Sequence, residues 1–291
     1  MQKRKLKSFS GLTRESHEAR DPRARPVDDY MLQIPNLLNI FHHEFAIKPM
    51  IGFELEFYTQ DADFVRKALN QAEIDCEFEA ESGKNQYEIQ LPPSLQVMGA
   101  LKKLTNARDV LIKSGAQLAA KPFTDQPGSA LHMHLNFLDH EHNNLFAKIS
   151  DHEEPQLLTH IVGGLLATVE EAMCYLAPHE EDYARYQAGI ETPSTISWGN
   201  NNRTVAIRIP ARESGPRRIE HRVASASADP YAVCAAIFAG CIHGLRNKIL
   251  PDAKIYGNAY LDQYPLKPLP ASLEEAREYL HTRQNLLRLL S

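Results

Sequence analysis

Five short segments of the chain place glutamate, histidine or arginine at every second position, with apolar residues between them. They are residues 53–57, 87–89, 131–137, 203–209 and 218–222, and Glu81 lies just upstream of the second. Residues i and i+2 of a β-strand point to the same face of a sheet, so each segment predicts a strand with one apolar and one polar face. The polar residues are almost all carboxylates, imidazoles and guanidiniums. The pattern therefore predicts a sheet that packs one face on a core and lines a site with the other.

The acidic strand faces predict a metal site. Glu54 and Glu56 share one face, and His132, His134 and Asn136 share another. If these strands are neighbours in one curved sheet, their carboxylates converge and repel each other unless cations neutralise them. Glutamate-rich ligation with one or two imidazoles suits Mg²⁺ or Mn²⁺ better than Zn²⁺. Taken alone, the glutamate pair also fits a solvated strand face, and the histidine pair also fits a hydrolase-type zinc site.

A cluster of arginines follows the acidic segments in the chain. Its members are Arg203, Arg208, Arg217, Arg218 and Arg222, with Glu220 among them. A solvated basic face is one interpretation. Arginine beside carboxylate-bound Mg²⁺ is also the usual equipment for phosphoryl transfer, where catalysis is mostly positioning and charge stabilisation. The sequence contains neither a GxxxxGKS/T loop nor a GxGxxG loop, so a bound nucleotide requires another architecture.

The bulk properties restrict the class of protein. At 291 residues and 43% hydrophobic, the chain can bury a substantial core, and a net charge of −5 gives no reason to expect nucleic acid. No apolar run in the sequence suggests a membrane span, and the N-terminus lacks a signal-peptide pattern. The four cysteines have no CxxC spacing and fit buried thiols in a reducing compartment. We therefore expect a cytoplasmic protein with a flexible, charged arm over 1–27 and a single domain over 28–291.

The periodicity of apolar residues predicts mixed secondary structure. Helices are predicted over 35–45, 62–73, 94–114, 156–176, 230–247 and 272–290. Strands are predicted near 50–58, 86–91, 116–120, 131–137, 203–209 and 218–223. Strands and helices do not alternate strictly, which favours an α+β fold with a mainly antiparallel sheet and helices packed on its outer face. Helices 156–176 and 230–247 are apolar nearly all round, which predicts core positions.

Several motifs together resemble the catalytic domain of glutamine synthetase. They are ELEF at 54–57, Glu81 with Gln86 and Glu88, KP at 121–122, GSALHMHLN at 128–136, WGNNNRTVAIRIP at 198–210, RRIEHR at 217–222 and DPY at 229–231. They occur in the order of that family and at similar spacing over about residues 50–247. Single motifs of this kind are weakly specific, whereas the ordered set is strongly specific.

The resemblance implies roles for individual residues. One cation is expected at Glu56, Glu81 and Glu88, and a second, bridging ATP phosphates, at Glu54, His132 and Glu220. Nucleotide and phosphate contacts are expected from His134, Asn136, Arg203 and Arg208. Arg185 is expected to hold the amino-acid carboxylate, Arg222 to lie beside the carboxyl group that is phosphorylated, and Glu191 to take a proton from the attacking amine.

The chain also departs from the family pattern. Only about 50 residues precede Glu54, which leaves no room for the family's N-terminal β-grasp domain, and the stretch between Glu56 and Glu81 is short. Glu181 or Asp182 replaces an asparagine of the segment that ends at Arg185. We expect a reduced relative that forms a small homo-oligomer, such as a dimer, rather than a dodecamer. As exposed carboxylates, Glu181 and Asp182 could favour an aminium acceptor.

The sequence therefore predicts an ATP-dependent carboxylate–amine ligase. Such an enzyme forms an amide from glutamate or a similar acid through an acyl phosphate, with ammonia or a larger amine as the acceptor, two Mg²⁺ or Mn²⁺ ions as cofactors and ATP as co-substrate. Because the acceptor side is expected to be open, an organic amine should outcompete ammonium. The alternatives are a non-catalytic relative that binds nucleotide and amino acid for regulation, and a metal-dependent hydrolase.

Overall fold

The computed structural model describes residues 27–147, 153–187, 192–211 and 216–291. Its central element is a seven-stranded sheet. Its strands are β1 (Lys48–Tyr58), β2 (Glu77–Ala80), β3 (Gln86–Ser94), β4 (Leu131–Leu138), β5 (Trp198–Asn200), β6 (Ile207–Ile209) and β7 (Ile219–His221). Their order across the sheet is β2-β3-β1-β4-β7-β6-β5, with every pair antiparallel except β5 and β6. The predicted α+β class with a mainly antiparallel sheet is confirmed.

Seven α-helices are present in the described part of the chain. They are α1 (Val27–Phe45), α2 (Ala62–Gln71), α3 (Val97–Lys113), α4 (Gln156–Leu176), α5 (Pro230–Asn247), α6 (Leu273–Arg283) and α7 (Leu287–Leu290), and a 3₁₀ helix spans Glu180–Gln187. Side-chain caps set several of their starts. The Asp229 carboxylate accepts the Ala232 N–H at 2.9 Å at the start of α5, and Ser272 accepts the Glu275 N–H at 3.2 Å at the start of α6. The Glu275 carboxylate in turn accepts the N–H of Ala271, the residue before this cap, so the two side chains together fix the start of α6.

The two faces of the sheet differ as the alternation predicts. Phe53, Leu55 and Phe57 of β1 are buried on one face, whereas Glu54 and Glu56 point to the other. The buried face packs against α1 and α3, and α5 packs on α1. For example, Phe41 of α1 lies 5.0 Å from Phe137 of β4 and 5.2 Å from Phe238 of α5, measured between ring centroids. Burial of such rings stabilises the fold by roughly 1.5–3 kcal/mol each and leaves the polar face free to form a site.

The prediction of a strand at 116–120 is wrong. In this segment Gln117 pairs with Tyr58 through a single bridge, and no strand forms. Both hydrogen-bonding edges of β1 are occupied by β3 and β4 along most of its length, so little of either edge is left for another partner. The segment instead continues as a loop toward β4.

Other boundaries also differ from the predictions. The strand predicted at 203–209 is limited to β6, because Thr204 and Asn202 form a local turn in which the Asn202 side chain accepts the Thr204 N–H at 3.0 Å. The helix predicted at 272–290 is divided at Gln284, whose φ of 58° is left-handed and ends α6. The short strands β2 and β5 had no prediction, because three or four residues carry too little periodicity.

Helices α4 and α5 form the most apolar part of the core, which confirms their predicted core positions. By length and composition α4 could cross a membrane, but 78% of its most apolar window is buried inside the fold, as in the core helix of a globular protein. The two helices meet through glycines. A Cβ atom on Gly164 would lie 2.5 Å from the Gly244 nitrogen and would also clash with the Gly240 carbonyl oxygen. Their backbones therefore approach more closely than any side chain would allow.

Candidate active site

The register of β1 brings the predicted carboxylates together. Glu56 lies directly opposite Glu88 on β3, and Glu54 lies directly opposite His132 on β4. Glu81 follows β2, where its N–H donates to the Gln86 carbonyl oxygen at 2.9 Å and closes the turn into β3. One carboxylate oxygen from each of Glu56, Glu81 and Glu88 lies within 4.8 Å of the others. This first cation triad contains the three residues predicted for one ion.

A second group of ligand atoms lies beside the first and shares Glu88 with it. Glu54, Glu88 and His132 offer atoms within 4.8 Å of one another, and they form the second cation triad. Glu220, predicted for this ion, lies next to the triad, with its Oε1 3.7 Å from His132 Nδ1. Its oxygens also accept Arg208 Nη1 at 2.7 Å and Arg222 Nε at 2.9 Å. The structure thus brings the predicted set together and adds Glu88 to it.

Protonation states differ sharply within this cluster. Burial, reinforced by the neighbouring carboxylates Glu54, Glu56 and Glu81, raises the pKa of Glu88 to about 10. Burial also opposes ionisation of Glu54 and Glu220. Hydrogen bonds to His132 and His134 nevertheless hold the pKa of Glu54 well below its usual range, and the charges of His132 and Arg222 lower the pKa of Glu220 to about 2. Without a cation, the cluster therefore keeps a proton on Glu88.

The donor set fits a hard divalent cation. Carboxylate oxygens dominate both triads, as Mg²⁺ and Mn²⁺ prefer. His132 Nε2 is buried, lies 4.0 Å from Glu56 Oε1 and has no hydrogen-bond partner among the described residues. A buried imidazole nitrogen without a partner is costly, and a bound cation would satisfy it. The residues present are therefore suited to hold one cation at each triad.

Two glutamines support the glutamates, and the predictions assigned a role to neither. Gln90 Nε2 donates to Glu88 Oε1 at 2.8 Å, and Gln86 Nε2 donates to the Gly128 carbonyl oxygen at 3.0 Å. Gln86 also accepts the Gly83 N–H at 3.0 Å, so it joins the turn before β3 to the loop before β4. The sequence signal was present, because residues 86, 88 and 90 share one strand face.

The predicted arginines surround the acidic cluster. Arg203, Arg208 and Arg222 line a cavity of about 130 Å³ together with both triads, and we call it the cation cavity. Arg185 also lines it, but its guanidinium donates to the carbonyl oxygens of Val223 at 2.8 Å and Arg222 at 3.1 Å. In this conformation the Arg185 guanidinium binds the backbone at Arg222 and Val223.

A second cavity of about 280 Å³ adjoins the first, and we call it the β4 cavity. His134 and Asn136, both predicted nucleotide contacts, line it, and Glu54 and Gln90 line both cavities. Arg218 also lines it and donates from Nε to His134 Nδ1 at 2.9 Å. Arg203 and Arg208 line the cation cavity instead. The predicted nucleotide residues are thus divided between two adjoining spaces, and the sequence assigned Arg218 no specific role.

Two acidic residues near Arg185 do not lie where the sequence suggested. Asp182 is buried, and its carboxylate accepts the Ser227 hydroxyl at 2.6 Å and the His179 N–H at 3.0 Å. The interpretation of Asp182 as an exposed carboxylate is therefore wrong, because these bonds draw it into the fold. Glu181 is exposed. Glu191, the predicted proton acceptor, lies outside the described residues.

The raised pKa of Glu88 predicts a pH-dependent stability that cations remove. An unfolded chain has an ordinary glutamate, whose pKa is near 4.5, whereas the folded chain holds the proton to about pH 10. Because the folded state binds more protons in this window, stability should fall as the pH rises through it. Burial lowers the pKa of His221 to about 3, so His221 makes stability rise with pH up to about pH 6.5 and opposes the effect of Glu88 there. We therefore expect the melting temperature in EDTA to decline between about pH 7 and pH 9, and saturating Mn²⁺, which takes the place of the proton, to flatten that decline.

The Glu88→Gln variant tests the cause, because glutamine mimics the protonated acid. Its melting temperature in EDTA should change much less with pH over the same range. Glu54 and Glu220 have lowered pKa values, so they change the stability of the fold with pH only below this window. Equal pH slopes for the wild-type protein and the variant would contradict the assignment.

Comparisons with known proteins agree with this geometry. The model of the glutamine synthetase catalytic domain matches residues 61–291. A gamma-glutamylputrescine synthetase of Escherichia coli (strain K12) is 36% identical over 203 residues, which are 68% of this chain and 42% of the relative. A glutamate–isopropylamine ligase of Pseudomonas sp is 31% identical over 252 residues, which are 82% of this chain and 51% of the relative.

Solved structures share the fold. A GmaS/ADP complex superposes with a TM-score of 0.77 at 20% sequence identity, covering 90% of this chain and 70% of that one. The chain spans about half the length of the curated relatives that it matches. The matched family model covers most of the chain, and both cation triads are formed by residues of the family motifs. The chain belongs to the glutamine synthetase family and has the fold of its catalytic domain.

Proposed function

We propose that this protein is an ATP-dependent carboxylate–amine ligase that forms an amide from glutamate or a similar acid through an acyl phosphate. The observation that carries the proposal is the meeting of both cation triads with Arg203, Arg208 and Arg222 in one cavity. Carboxylates that hold divalent cations beside several guanidiniums suit the transfer of a phosphoryl group, whose negative charge must be neutralised. ATP is the proposed co-substrate, and two Mg²⁺ or Mn²⁺ ions are the proposed cofactors.

The proposed reaction has two steps. In the first, a carboxylate oxygen of the acid bonds to the γ-phosphorus of ATP, and the bond from that phosphorus to ADP breaks. In the second, the amine nitrogen bonds to the acyl carbon, phosphate leaves, and the amine proton passes to a base, which we assign to Glu191. The cations, when bound, supply positive charge that offsets the charge of the phosphates.

We assign different residues to the phosphates, the nucleotide and the acid substrate. Arg203 and Arg208 are assigned to the phosphates, and Arg222, held by Glu220 at 2.9 Å, is assigned to the carboxyl group that becomes the acyl phosphate. His134 and Asn136 in the β4 cavity are assigned to the nucleotide. Arg185 is assigned to the amino-acid carboxylate, which requires its guanidinium to exchange a backbone carbonyl for the substrate.

Colorimetric detection of hydroxamate tests the proposal. Incubation with ATP, Mn²⁺, glutamate and hydroxylamine should give glutamyl hydroxamate and ADP, because hydroxylamine is a small nucleophile that traps the acyl phosphate. The matched control omits ATP. The absence of both products across a broad panel of acids would contradict the proposal.

The acceptor is proposed to be an organic amine. Two matched relatives carry the names of amine ligases, one for putrescine and one for isopropylamine. We expect a primary alkylamine to exceed ammonium in kcat/KM. The test is to measure kcat/KM for ammonium, methylamine, ethanolamine and diamines. A clear preference for ammonium would contradict this proposal and indicate that the product is glutamine.

One observation favours a second function. The Arg185 guanidinium donates to two backbone carbonyl oxygens, which leaves fewer of its N–H groups for a substrate carboxylate. A non-catalytic relative that binds nucleotide for regulation would retain ATP binding and show no ADP release with any amine. The hydroxamate assay separates this alternative from the ligase.

The cellular setting is also proposed. The four cysteines are all free, as in a reducing compartment, so we place the protein in the cytoplasm. We further propose a small homo-oligomer, which light scattering would reveal as a mass of a few protomers rather than twelve.

A further inference from the structure

The carbonyl oxygen of Val223, directly after Arg222 in the chain, accepts two hydrogen bonds from the 3₁₀ helix. Arg185 Nη1 donates to it at 2.8 Å, and the Tyr186 hydroxyl donates to it at 2.8 Å. Val223 itself is completely buried. A carbonyl oxygen has two lone pairs, and these two donors occupy both. The oxygen therefore keeps a partner if one of the donors turns away.

Arg185 is the donor for which a second partner is proposed. It lines the cation cavity and is assigned to a carboxylate of the acid substrate. The residue is only 2% exposed, and its Nε is buried with no hydrogen-bond partner among the described residues. A buried guanidinium N–H without a partner is costly, and a substrate carboxylate would satisfy it. Such a carboxylate competes with the backbone carbonyls for the guanidinium.

The exchange of the Val223 carbonyl for a substrate carboxylate depends on the second donor. A buried carbonyl oxygen that loses its last hydrogen bond is left unsatisfied, which opposes any step that produces this state. With the Tyr186 hydroxyl in place, the Val223 oxygen still accepts one bond after Arg185 has turned away. Burial raises the pKa of Tyr186 to about 12, so the hydroxyl stays protonated and remains a donor at neutral pH.

We propose that Tyr186 is a positioning residue for the acid substrate, because its hydroxyl keeps the Val223 carbonyl oxygen satisfied while the Arg185 guanidinium turns to the carboxylate that is not phosphorylated. This inference rests on the proposed ligase function and adds a residue to its acid site. Tyr186 does not touch the substrate in this proposal. It acts through Arg185 and sets how tightly the acid binds.

Tyr186→Phe tests the proposal, because it removes the hydroxyl and keeps the ring, whose centroid lies 5.4 Å from the guanidinium carbon of Arg185. Calorimetry measures the Kd of L-glutamate in the presence of ADP and Mn²⁺, and the hydroxamate assay measures its KM. Both should rise by about 5- to 100-fold, the range that one unsatisfied buried acceptor costs. The Kd of ADP should stay as in the wild-type protein, because the β4 cavity keeps its contacts. The kcat should also stay, because the same cost applies to the bound acid and to the transition state.

Tyr183→Phe is the matched control. Tyr183 lies in the same 3₁₀ helix, with its ring centroid 6.0 Å from that of Tyr186. Its hydroxyl is buried and has no hydrogen-bond partner among the described residues. Removing this hydroxyl should leave the Kd and KM of glutamate as in the wild-type protein. Thermal unfolding checks both variants, and Tyr186→Phe is expected to stay folded because the Val223 oxygen keeps its bond to Arg185.

The outcomes separate the inference from the function on which it rests. If the wild-type protein forms glutamyl hydroxamate but Tyr186→Phe binds glutamate as tightly, the ligase function stands and the role of Tyr186 is overturned. Equal losses of affinity for ADP and glutamate, or equal effects in Tyr183→Phe, also overturn it, because they indicate a general loosening of the fold. Hydroxamate from monocarboxylic acids alone overturns it too, since such acids offer Arg185 no second carboxylate. If no acid yields hydroxamate or ADP, the ligase function fails and the inference fails with it.

Discussion

Replacing Glu56 with alanine is expected to remove one bound cation and to lower ligase activity by about 10²–10³-fold, the cost of deleting one preorganised charge-stabilising group. The first cation triad should bind its cation more tightly than the second triad does, because three carboxylates carry more negative charge than two carboxylates and an imidazole. Glu56 belongs to the first triad alone. Mn²⁺ titrations followed by electron paramagnetic resonance should show the loss of the tighter site.

The fold should survive this replacement. Removing the Glu56 charge relieves repulsion within the cluster, but it also removes the acceptor of the buried Ala130 N–H at 2.8 Å. These effects oppose each other, so the melting temperature in EDTA is expected to change little while part of the stabilisation by Mn²⁺ is lost. Replacing His132 with alanine should instead mainly weaken nucleotide binding. Glu278→Gln, an exposed change on α6, serves as the control with unchanged Mn²⁺ stoichiometry. Unchanged Mn²⁺ stoichiometry in both the Glu56 and His132 variants would show that the ligands are wrongly assigned.

The Gly164→Ala variant is expected to lose at least about 3 kcal/mol of the free energy of unfolding, at the upper end of the usual cost of overpacking. Gly164 meets Gly244 where α4 and α5 cross, and an added methyl group would lie 2.5 Å from the Gly244 nitrogen. Backbone atoms cannot move aside as a flexible side chain can, so the two helices must separate. Separation would open the apolar core on both sides of the crossing.

Gly99→Ala on α3 is the matched control for this prediction. An added methyl group there meets nothing closer than the Gln96 Cβ at 3.6 Å, and the position is exposed. Alanine in a helix is more favourable than glycine, so this variant should gain up to about 1 kcal/mol. Urea denaturation measures both changes. A cost below about 1 kcal/mol for Gly164→Ala would mean that the two helices do not meet as closely as described.

Much of the candidate site could be predicted from the sequence, because the side-chain alternation of a strand is a local property. Glu54 and Glu56 share a face in any strand that contains them, and so do His132 and His134. The same local rule identified the apolar residues of β1. Membership of the first cation triad followed from the ordered family motifs. Gln90 could have been found in the same way, since it continues the alternation beyond Glu88.

Other features depended on which distant segments pair, and local patterns do not contain that information. The failure of 116–120 to form a strand followed from β3 and β4 occupying the edges of β1. The burial of Asp182 followed from its hydrogen bond to Ser227, 45 residues away in the chain. Boundaries such as the end of α6 at Gln284 depended on one left-handed residue within an otherwise helical pattern.

The amino-acid sequence by itself determined the polar and apolar strand faces and the α+β class, because these follow from side-chain period and residue chemistry. The ordered family motifs in the sequence also identified the glutamates that we propose as cation ligands. Only the tertiary structure decided that Glu88 belongs to both triads and that Glu220 is held between Arg208 and Arg222. Strand register and loop packing set these relations. Both arise from contacts between residues far apart in the chain, whose free energies no local pattern records.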